Sequence, residues 1–545
     1  MAPLPARADP PTYFSEDGKQ TTDFGDEDDE GSDVAIQADG KTVVVGSVTD
    51  GFGIARYDED GSLDASFADD GRKRIHTPMG DFRGAVALQS DGKIVVAGGT
   101  LDSEVLVARF NSDGSLDASF ADDGVQLTDL ATDGASVAGI AIQSDGKIVV
   151  AGSAFVGGSG NRYMVARFTS DGRLDDTFGS GGAQLTDMGD GIGFAVALQS
   201  DDKIVVVGST ESSASEEFGA VRYTANGTID DAFSGDGIET TDFGDGADKA
   251  EAVAVQPDGR IVVAGVASTA GGSYFAIARY DTDGTLDSSF SGNGIQVTKS
   301  TRTYLWGHAL VLQSDNKIVV AGETGGNDQP SLFALARYKT DGTLDGTFAE
   351  GGMQTTEFGI YASAFAAAVG TDGKITLAGD TLRASEGPFG GDSMAFAIAR
   401  YNPDGSLDAR PDGPPPATEP EPAPASSRAC TIIGTARGEV IHGTSGRDVI
   451  CARGGSDVVY GHGGNDLVFG HRGNDRVYGG RGNDRVHGAS GRDKLVGGPG
   501  SDLLRGGHQG DRLNTLDKVR GNDSAYGGYG NDSCATNRRD LRRNC

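Results

Sequence analysis

Between Gly443 and Asn514 an acidic residue returns at every ninth position: Asp448, Asp457, Asp466, Asp475, Asp484, Asp493, Asp502 and Asp511. Two residues after each stands an aliphatic side chain, from Ile450 and Val459 through Leu504 and Leu513. Glycine lies two positions before the acid in every unit except the last, where Gln509 takes its place. This period suits neither an amphipathic helix nor a long strand. It suits a turn of about six residues followed by a three-residue strand whose middle side chain points inward. Two units then make one right-handed coil of a parallel roll. One edge carries Asp448, Asp466, Asp484 and Asp502, and the other Asp457, Asp475, Asp493 and Asp511. Carboxylates stacked this closely repel one another unless a cation lies among them. Hard oxygen ligands on flexible glycine turns favour calcium over zinc or magnesium. The eight aspartates are therefore the candidate metal ligands, and several calcium ions the expected cofactor.

Units such as Gly479-Gly-Arg-Gly-Asn-Asp484 and Gly497-Gly-Pro-Gly-Ser-Asp502 resemble the calcium-binding nonapeptide repeats of RTX proteins. The resemblance covers about seventy residues and implies a β-roll that binds calcium outside the cytoplasm. RTX proteins commonly leave the cell by a carboxy-terminal signal; here the end, Asn537 to Cys545, is basic and cysteine-bearing. Met1 to Pro11 contains no apolar run of the kind an export signal needs.

The elements that must position this ladder sit in a chain of 545 residues with a formal charge of -34. From Ser426 onward 18 Lys and Arg face 13 Asp and Glu, a charge of +5; the rest, 28 against 67, carries -39. So acidic a body repels phosphates, which argues against a nucleic-acid partner. No apolar stretch is long enough to span a bilayer, so no membrane insertion is expected, and the chain is read as a monomer. Cys430, Cys451, Cys534 and Cys545 flank the two ends of the roll without a Cys-x-x-Cys spacing. Local disulfides joining Cys430 to Cys451 and Cys534 to Cys545 are expected, again in an extracellular setting.

From Tyr13 to Ala409 one theme recurs seven times: an alternating strand, Asp-Gly-Lys or a close variant, a Val-rich strand, a variable loop, an Ala-Arg-aromatic strand, then Asp-Gly-Ser-Leu-Asp or its like. Asp-Gly between alternating strands predicts a tight hairpin with both turn residues at positive φ, where Asn316 fits and Asp202 is strained. Each unit supplies about four antiparallel strands and no helix, and such sheets bury both faces only by packing radially. The expected fold is all-β, a seven-bladed β-propeller followed by the parallel roll. The strand at 19–24 matches the segment missing after Leu407-Asp408 and is expected to complete the seventh blade. These repeats resemble the bacterial delta-60 family of β-propeller repeats, a likeness that implies a fold and no particular activity. The expected boundaries are a flexible 1–12, a propeller over 13–409, a Pro-rich spacer over 410–428 that lets the domains move independently, a calcium-binding roll over 429–514 and a disulfide-bearing cap over 515–545.

Arg56, Arg109, Arg167, Arg222, Arg279, Arg337 and Arg400 recur on one strand, with Asp64, Asp117, Asp175, Asp230, Asp287, Asp345 and Asp408 just after it. A residue copied round a ring is distributed, whereas an active site needs convergence, so these are expected to be structural pairs. Asp58 to Asp64 and its equivalents lack the closing Glu of an EF-hand and are expected to be ordinary turns. No nucleophile elbow, phosphate loop or His-rich zinc pattern occurs, so no catalytic residue is assigned. The propeller's own function is expected where the copies differ, in the loops near 154–162, 209–217, 323–331 and 380–392 and in interblade segments such as Tyr304-Leu-Trp306-Gly-His308. The reading is an exported, non-catalytic calcium-binding protein whose propeller holds an extracellular ligand, a glycan or a cell-surface polymer. The rival is a polysaccharide lyase or hydrolase. Single-copy acids at the axis of the variable face favour the rival, and a face lined only by repeated residues favours the binding module.

Overall fold

The computed structural model describes residues 13–409 and 432–543 apart from short internal gaps, among them 25–28, 77–83, 212–215, 384–392 and 517–522. The expected flexible terminus, the spacer, Cys430, Cys545 and parts of the variable loops lie outside the described residues. All the elements are strands, and the body and the tail are separate compact units.

The body holds seven four-stranded antiparallel sheets. The first comprises Glu30–Ile36, Thr42–Val48, Gly51–Tyr57 and Arg72–His76. The seventh comprises Ala362–Val369, Ile375–Arg383 and Ser393–Tyr401. Its fourth strand is Lys19–Thr22 from the amino-terminal end, with Lys19 opposite Ala399 and Thr22 opposite Phe396. The fifth and sixth sheets are linked by a single parallel bridge between Ser273 and Tyr304. The first strand of every sheet abuts the first strand of the next, and Ala362–Val369 abuts Glu30–Ile36, so the inner strands form a closed ring of seven. This is a seven-bladed propeller. Apolar residues from neighbouring sheets make the core between blades, as where Val43, Phe52 and Ile54 meet Val86, Ile94 and Leu106.

The hairpins differ from the expected turn. Gly40 stands at φ +85° and Gly92 at +85°, but the preceding aspartates keep negative φ. Gln37 O accepts from Gly40 N (2.9 Å) and Gln37 N donates to Lys41 O (2.8 Å), a type I turn closed by one left-handed residue. Only the glycine position is left-handed, and Asn316 and Asp202 fill it at +61° each. Asp202 is held there by donors from the neighbouring blade, because its carboxylate accepts from Ser144 N (3.0 Å) and from the Ser144 hydroxyl.

The repeated arginines are structural, as their distribution implied. Arg222 Nε donates to Asp230 (2.7 Å) and Arg279 Nε to Asp287 (2.8 Å), and the same bond recurs in all seven blades. A second guanidinium nitrogen reaches a turn carbonyl of the following blade, as from Arg109 to Ser170 O (2.6 Å) and from Arg279 to Thr340 O (2.6 Å). The guanidinium also lies over a phenylalanine ring, 4.7 Å away in the Arg279–Phe290 case. Sequence reasoning missed the third charge: the hairpin lysine joins the same carboxylate, with Lys93 Nζ 2.9 Å from Asp117 and Lys374 Nζ 3.0 Å from Asp408. Burial raises the Asp175 pKa, but Thr177, Lys147 and Arg167 more than offset this and hold it down to about 2.

In the seventh blade the ring over the arginine is Phe14, fully buried and 4.8 Å from the Arg400 guanidinium. Phe14 also packs with Tyr57 of the first blade and Phe396 of the seventh, so it joins the two ends of the ring. Phe14→Ala is expected to destabilise the propeller by about 3–5 kcal/mol in urea unfolding. Loss of no more than the value for an exposed Phe would show that the ring closes without it.

Candidate metal centre

The tail is a parallel β-solenoid of two facing sheets. One contains Val449–Cys451, Leu467–Arg472, Arg485–Ser490 and Leu503–His508, and the other Val458–Tyr460, Arg476–Tyr478, Lys494–Val496 and Arg512–Asn514. Partners lie eighteen residues apart, as in Val449 opposite Leu467 and Arg476 opposite Lys494. The middle residues, Ile450, Val459, Val468, Val477, Val486, Leu495, Leu504 and Leu513, are the buried column between the sheets. The coil does not stop at Asn514. Ser524–Tyr529, Ser533–Ala535 and Leu541–Arg543 continue both sheets, and a three-residue insertion makes the partner separation twenty-one between Leu503 and Ser524.

This register brings the predicted aspartates into two ladders, all buried. Half of each carboxylate is already committed. Oδ1 of Asp466 accepts from Asp448 N (2.9 Å), Oδ1 of Asp484 from Asp466 N (2.9 Å), and Oδ1 of Asp493 from Asp475 N (2.8 Å). The ladder extends beyond the predicted set at both ends, to Glu439, whose amide donates to Asp457 (2.8 Å), and to Asp523, which accepts from Asp502 N (2.9 Å). The ninefold spacing from Asp448 back to Glu439 was the signal for the first; the insertion hid the second.

The other oxygen is the telling one. Oδ2 of Asp457, Asp466, Asp475, Asp484 and Asp493 is buried and has no hydrogen-bond partner. It lies beneath a glycine: a Cβ on Gly461, Gly470 or Gly479 would sit 2.6 Å from Oδ2 of Asp466, Asp475 or Asp484. Burial pushes Asp475 up to about 8 and Asp466 up to about 7. The amide each accepts works against that shift, and the neighbouring carboxylates of Asp493 and Asp457, or of Asp484 and Asp448, add to it. Burial likewise raises Asp484 and Asp493 to about 6 and moves Asp457 upward. Among the described residues no group of three or more His, Cys, Asp or Glu side chains converges on one point, so the acids act as a ladder and not as a side-chain cage.

On the outer face of the roll, His442, Tyr460 and Tyr478 stack at 5.1 Å spacing. His442 and His462 are exposed, whereas His487 is half-buried; the side chains of His471 and His508 lie outside the described set. Cys451 and Cys534 are disulfide-bonded, and the cysteines expected to pair with them lie outside the described residues.

The propeller has a second place where single-copy side chains converge. Five residues before the hairpin's Gln (Gly370 in the seventh blade), the inner strands carry a different residue in almost every copy: Ser32, Gly84 and Ala138 in blades one to three, then Phe194, Glu251, His308 and Phe365. The following position is alanine in five copies, Ala85, Ala195, Ala252, Ala309 and Ala366, with Asp33 and Gly139 in the other two. In five blades this residue is a β-bulge that shifts the register of the inner strand. These side chains follow one another round the axis. Ser32 Oγ donates to Gly84 O (2.9 Å), His308 Nδ1 lies 3.6 Å from Glu251, and the His308 ring lies 5.3 Å from that of Phe365. Sequence reasoning named Trp306 and His308 but not the ring. Trp306 and Tyr304 are half-buried and pack on each other at 5.3 Å.

The family profile described as a domain of unknown function (DUF5122) beta-propeller matches seven segments, from 37–67 to 370–410. The RTX calcium-binding nonapeptide repeat matches within 433–537. The body belongs to the DUF5122 propellers and the tail to the RTX repeats. No curated protein is significantly similar to the chain. Among solved structures, a virginiamycin B lyase from Staphylococcus aureus is 13% identical, with a TM-score of 0.42 over 70% of this chain and 98% of the lyase. A polysaccharide lyase of family PL25, an ulvan lyase, is 12% identical, with a TM-score of 0.42 over 73% and 97%. Likenesses this weak say nothing of this chain's activity.

The RTX ladder fits a divalent cation, because its unpartnered oxygens are carboxylate oxygens in a buried row. The raised pKa values also set a pH dependence. Without calcium the folded roll binds protons more tightly than the unfolded chain, so its stability falls as pH rises from about 4 to 8. The slope is about 1.4 kcal/mol per pH unit for each carboxyl protonated only when folded. Hydrogen exchange of roll amides in EDTA should show more protection at pH 5 than at pH 8, and calcium should remove that difference. Equal protection at both pH values in EDTA would contradict this.

Proposed function

We propose that this chain is an exported, non-catalytic calcium-binding protein in which calcium completes the fold of the roll and the propeller holds an extracellular ligand. The observation that supports it is the row of buried, unpartnered Oδ2 atoms at Asp457, Asp466, Asp475, Asp484 and Asp493. Calcium would be held by these carboxylates and by their ladder neighbours Asp448, Asp502 and Asp511. Its charge would replace the protons that the calcium-free ladder needs. At about 1 mM extracellular calcium and affinities of about 0.1–1 mM, each site adds roughly 0.4–1.4 kcal/mol to the folded state. Several coupled sites are enough to decide whether the roll folds, so calcium outside the cell acts as the folding signal.

The enzyme reading is favoured by single-copy polar side chains on the propeller: Glu251 beside His308 at the axis, and Asp380, Glu323 and Glu30, whose charges all act on Tyr361. Two single-copy acids are partly occupied by the fold: Asp33 accepts from Val34 N and Val86 N (2.8 Å each), and Glu323 accepts from Ser331 Oγ (2.7 Å).

Asp475→Asn separates a calcium ligand from a structural residue by sign. The amide oxygen keeps the bond from Asp457 N while the buried charge is lost, so the calcium-free roll should be more stable at pH 8. The same change should raise the calcium midpoint by roughly tenfold, about 1.4 kcal/mol at one site. Calorimetry of the full chain with and without calcium reads both. Destabilisation in EDTA with an unchanged calcium midpoint would refute the assignment.

A further inference from the structure

We propose that the outer face of the roll's second sheet is a docking surface for an acidic polysaccharide, held by the cation column of Arg476, Lys494 and Arg512 beside the stacked rings of His442, Tyr460 and Tyr478. This surface rests on the calcium-binding reading only in that the roll must be folded to form it.

The coil decides which side chains share this face. Each three-residue strand buries its middle side chain and turns the first and third outward, so the strands that begin at Arg476, Lys494 and Arg512 all run exposed, buried, half-buried. In-register parallel pairing sets Arg476 opposite Lys494 and Lys494 opposite Arg512. It also sets His442 opposite Tyr460 and Tyr460 opposite Tyr478. Neighbouring strands lie about 4.8 Å apart, so three positive charges stand in a row roughly 10 Å long on a backbone that cannot spread them. No outward position on this sheet, from Val440 to Ala535, is acidic.

The row is not consumed by the protein. In the propeller every hairpin cation meets a Leu-Asp carboxylate, as Lys147 meets Asp175 (3.2 Å) and Lys317 meets Asp345 (3.5 Å). In the roll the acids that precede the three cations, Asp475, Asp493 and Asp511, are buried in the ladder. Among the described residues, the side chains of Arg476, Lys494 and Arg512 have no ion pair and no hydrogen bond. Arg485, the matching cation of the other sheet, is engaged within the protein. Like charges in a row repel, and an anionic chain laid along them relieves that repulsion. From Ser426 onward the charge is +5 with every ladder acid counted as ionised, so calcium or protons on the ladder make the roll more positive still.

The aromatic column selects among anions. Tyr460 and Tyr478 lie 5.1 Å apart with 9° between their planes, and His442 and Tyr460 lie 5.1 Å apart with 11°. Ring faces are turned to one another, and what the column offers a ligand is ring edges and tyrosine hydroxyls. A single-stranded nucleic acid stacks its bases on open ring faces, and none is open within this stack. On the three cation rungs the third residues, Tyr478, Val496 and Asn514, are half-buried, so no apolar side chain projects there to enter a bilayer. A polyhydroxylated chain finds donors and acceptors in the hydroxyls. Its repeated carboxylates or sulfates match the guanidinium forks of Arg476 and Arg512 and the ammonium of Lys494.

The test is calorimetric titration of the calcium-loaded full chain with short oligosaccharides of equal length, one uronate-bearing, one sulfated and one neutral, beside vesicles of anionic phospholipid and a single-stranded oligonucleotide. The acidic oligosaccharides should bind, the neutral one should not, and affinity should fall as salt rises. The triple variant Arg476→Gln, Lys494→Gln, Arg512→Gln should weaken binding by about tenfold or more, and Arg485→Gln should leave it nearly unchanged. Tyr460→Phe with Tyr478→Phe keeps the stack, removes the hydroxyls and should weaken binding several-fold. Hydrogen exchange of the roll amides checks that each variant is folded. No binding of either acidic oligosaccharide to a protected roll, wild-type affinity in the triple or the double variant, an equal loss in Arg485→Gln, or tighter binding of the vesicles or the oligonucleotide would overturn the proposal. A roll equally protected with calcium and in EDTA at pH 8 would count against the calcium reading alone, and acidic oligosaccharides bound by that roll would still sustain the surface.

Discussion

A carboxylate with one oxygen tied to a backbone amide and the other sealed beneath a glycine is poorly placed to ionise. The roll repeats that situation along both edges; desolvation acts on Asp457, Asp466, Asp475, Asp484 and Asp493, and neighbouring carboxylates add to it at Asp457, Asp466 and Asp475. The geometry is enforced by parts that cannot be changed independently. The amide that Oδ1 accepts comes from the Asp one coil earlier, so satisfying one turn's backbone positions the next turn's acid. The glycines are equally constrained. Gly482 sits at φ +125°, and a Cβ there would collide with the Gly464 carbonyl one coil away. Sequence period, turn conformation and buried charge are thus one device. Its electrostatic strain is removed by protons or by a divalent cation, and the protons are lost as pH rises through the raised pKa values of Asp466 and Asp475.

The propeller solves the opposite problem, since its buried charges are compensated within the chain. Each Asp of the Leu-Asp turn meets an arginine and a hairpin cation, and the arginine ties its own blade, the next blade's turn and a phenylalanine face. Removing the arginine would leave a buried carboxylate with one cation in place of two, beside the Ser289 N and Oγ donors, a situation in which broken ion pairs are costly. Because this hub is intramolecular, the body's buried carboxylates are compensated by its own arginines and lysines.

What the sequence disclosed follows from what periodicity can carry. The ninefold acids, the aliphatic column, the seven hairpins, five of them Asp-Gly, and the Arg–Asp pairing at a separation of eight are all local or strictly periodic, and all were legible. The hairpin's turn type was misjudged because Asp-Gly serves both a two-residue turn and a type I turn with one left-handed residue. Strand register, not the dipeptide, decides between them. Lys93 joining Asp117 was invisible, since the two come together only when the third strand folds beside the second. Asp523 escaped because a three-residue insertion breaks the period while the coil absorbs it in a loop. The axial ring was hidden for a subtler reason: the residues of the ring belong to seven different repeats, and only closure makes them neighbours.

Repetition also explains why the ring is where variation was tolerated. In the sheet interior a substitution must suit both its own blade and the next, because the blades pack as copies; Gly46, Gly152 and Gly379 cannot even take a Cβ without striking a carbonyl of the inner strand. That carbonyl is brought close by the bulge itself. The bulge therefore fixes the glycine opposite it and at the same time frees its own extra side chain toward the axis. One local irregularity imposes invariance on the outer neighbour and permits diversity on the inner one. A propeller assembled from near-identical units gains a place where six residue types from seven repeats meet without unsettling the hubs that hold the units together.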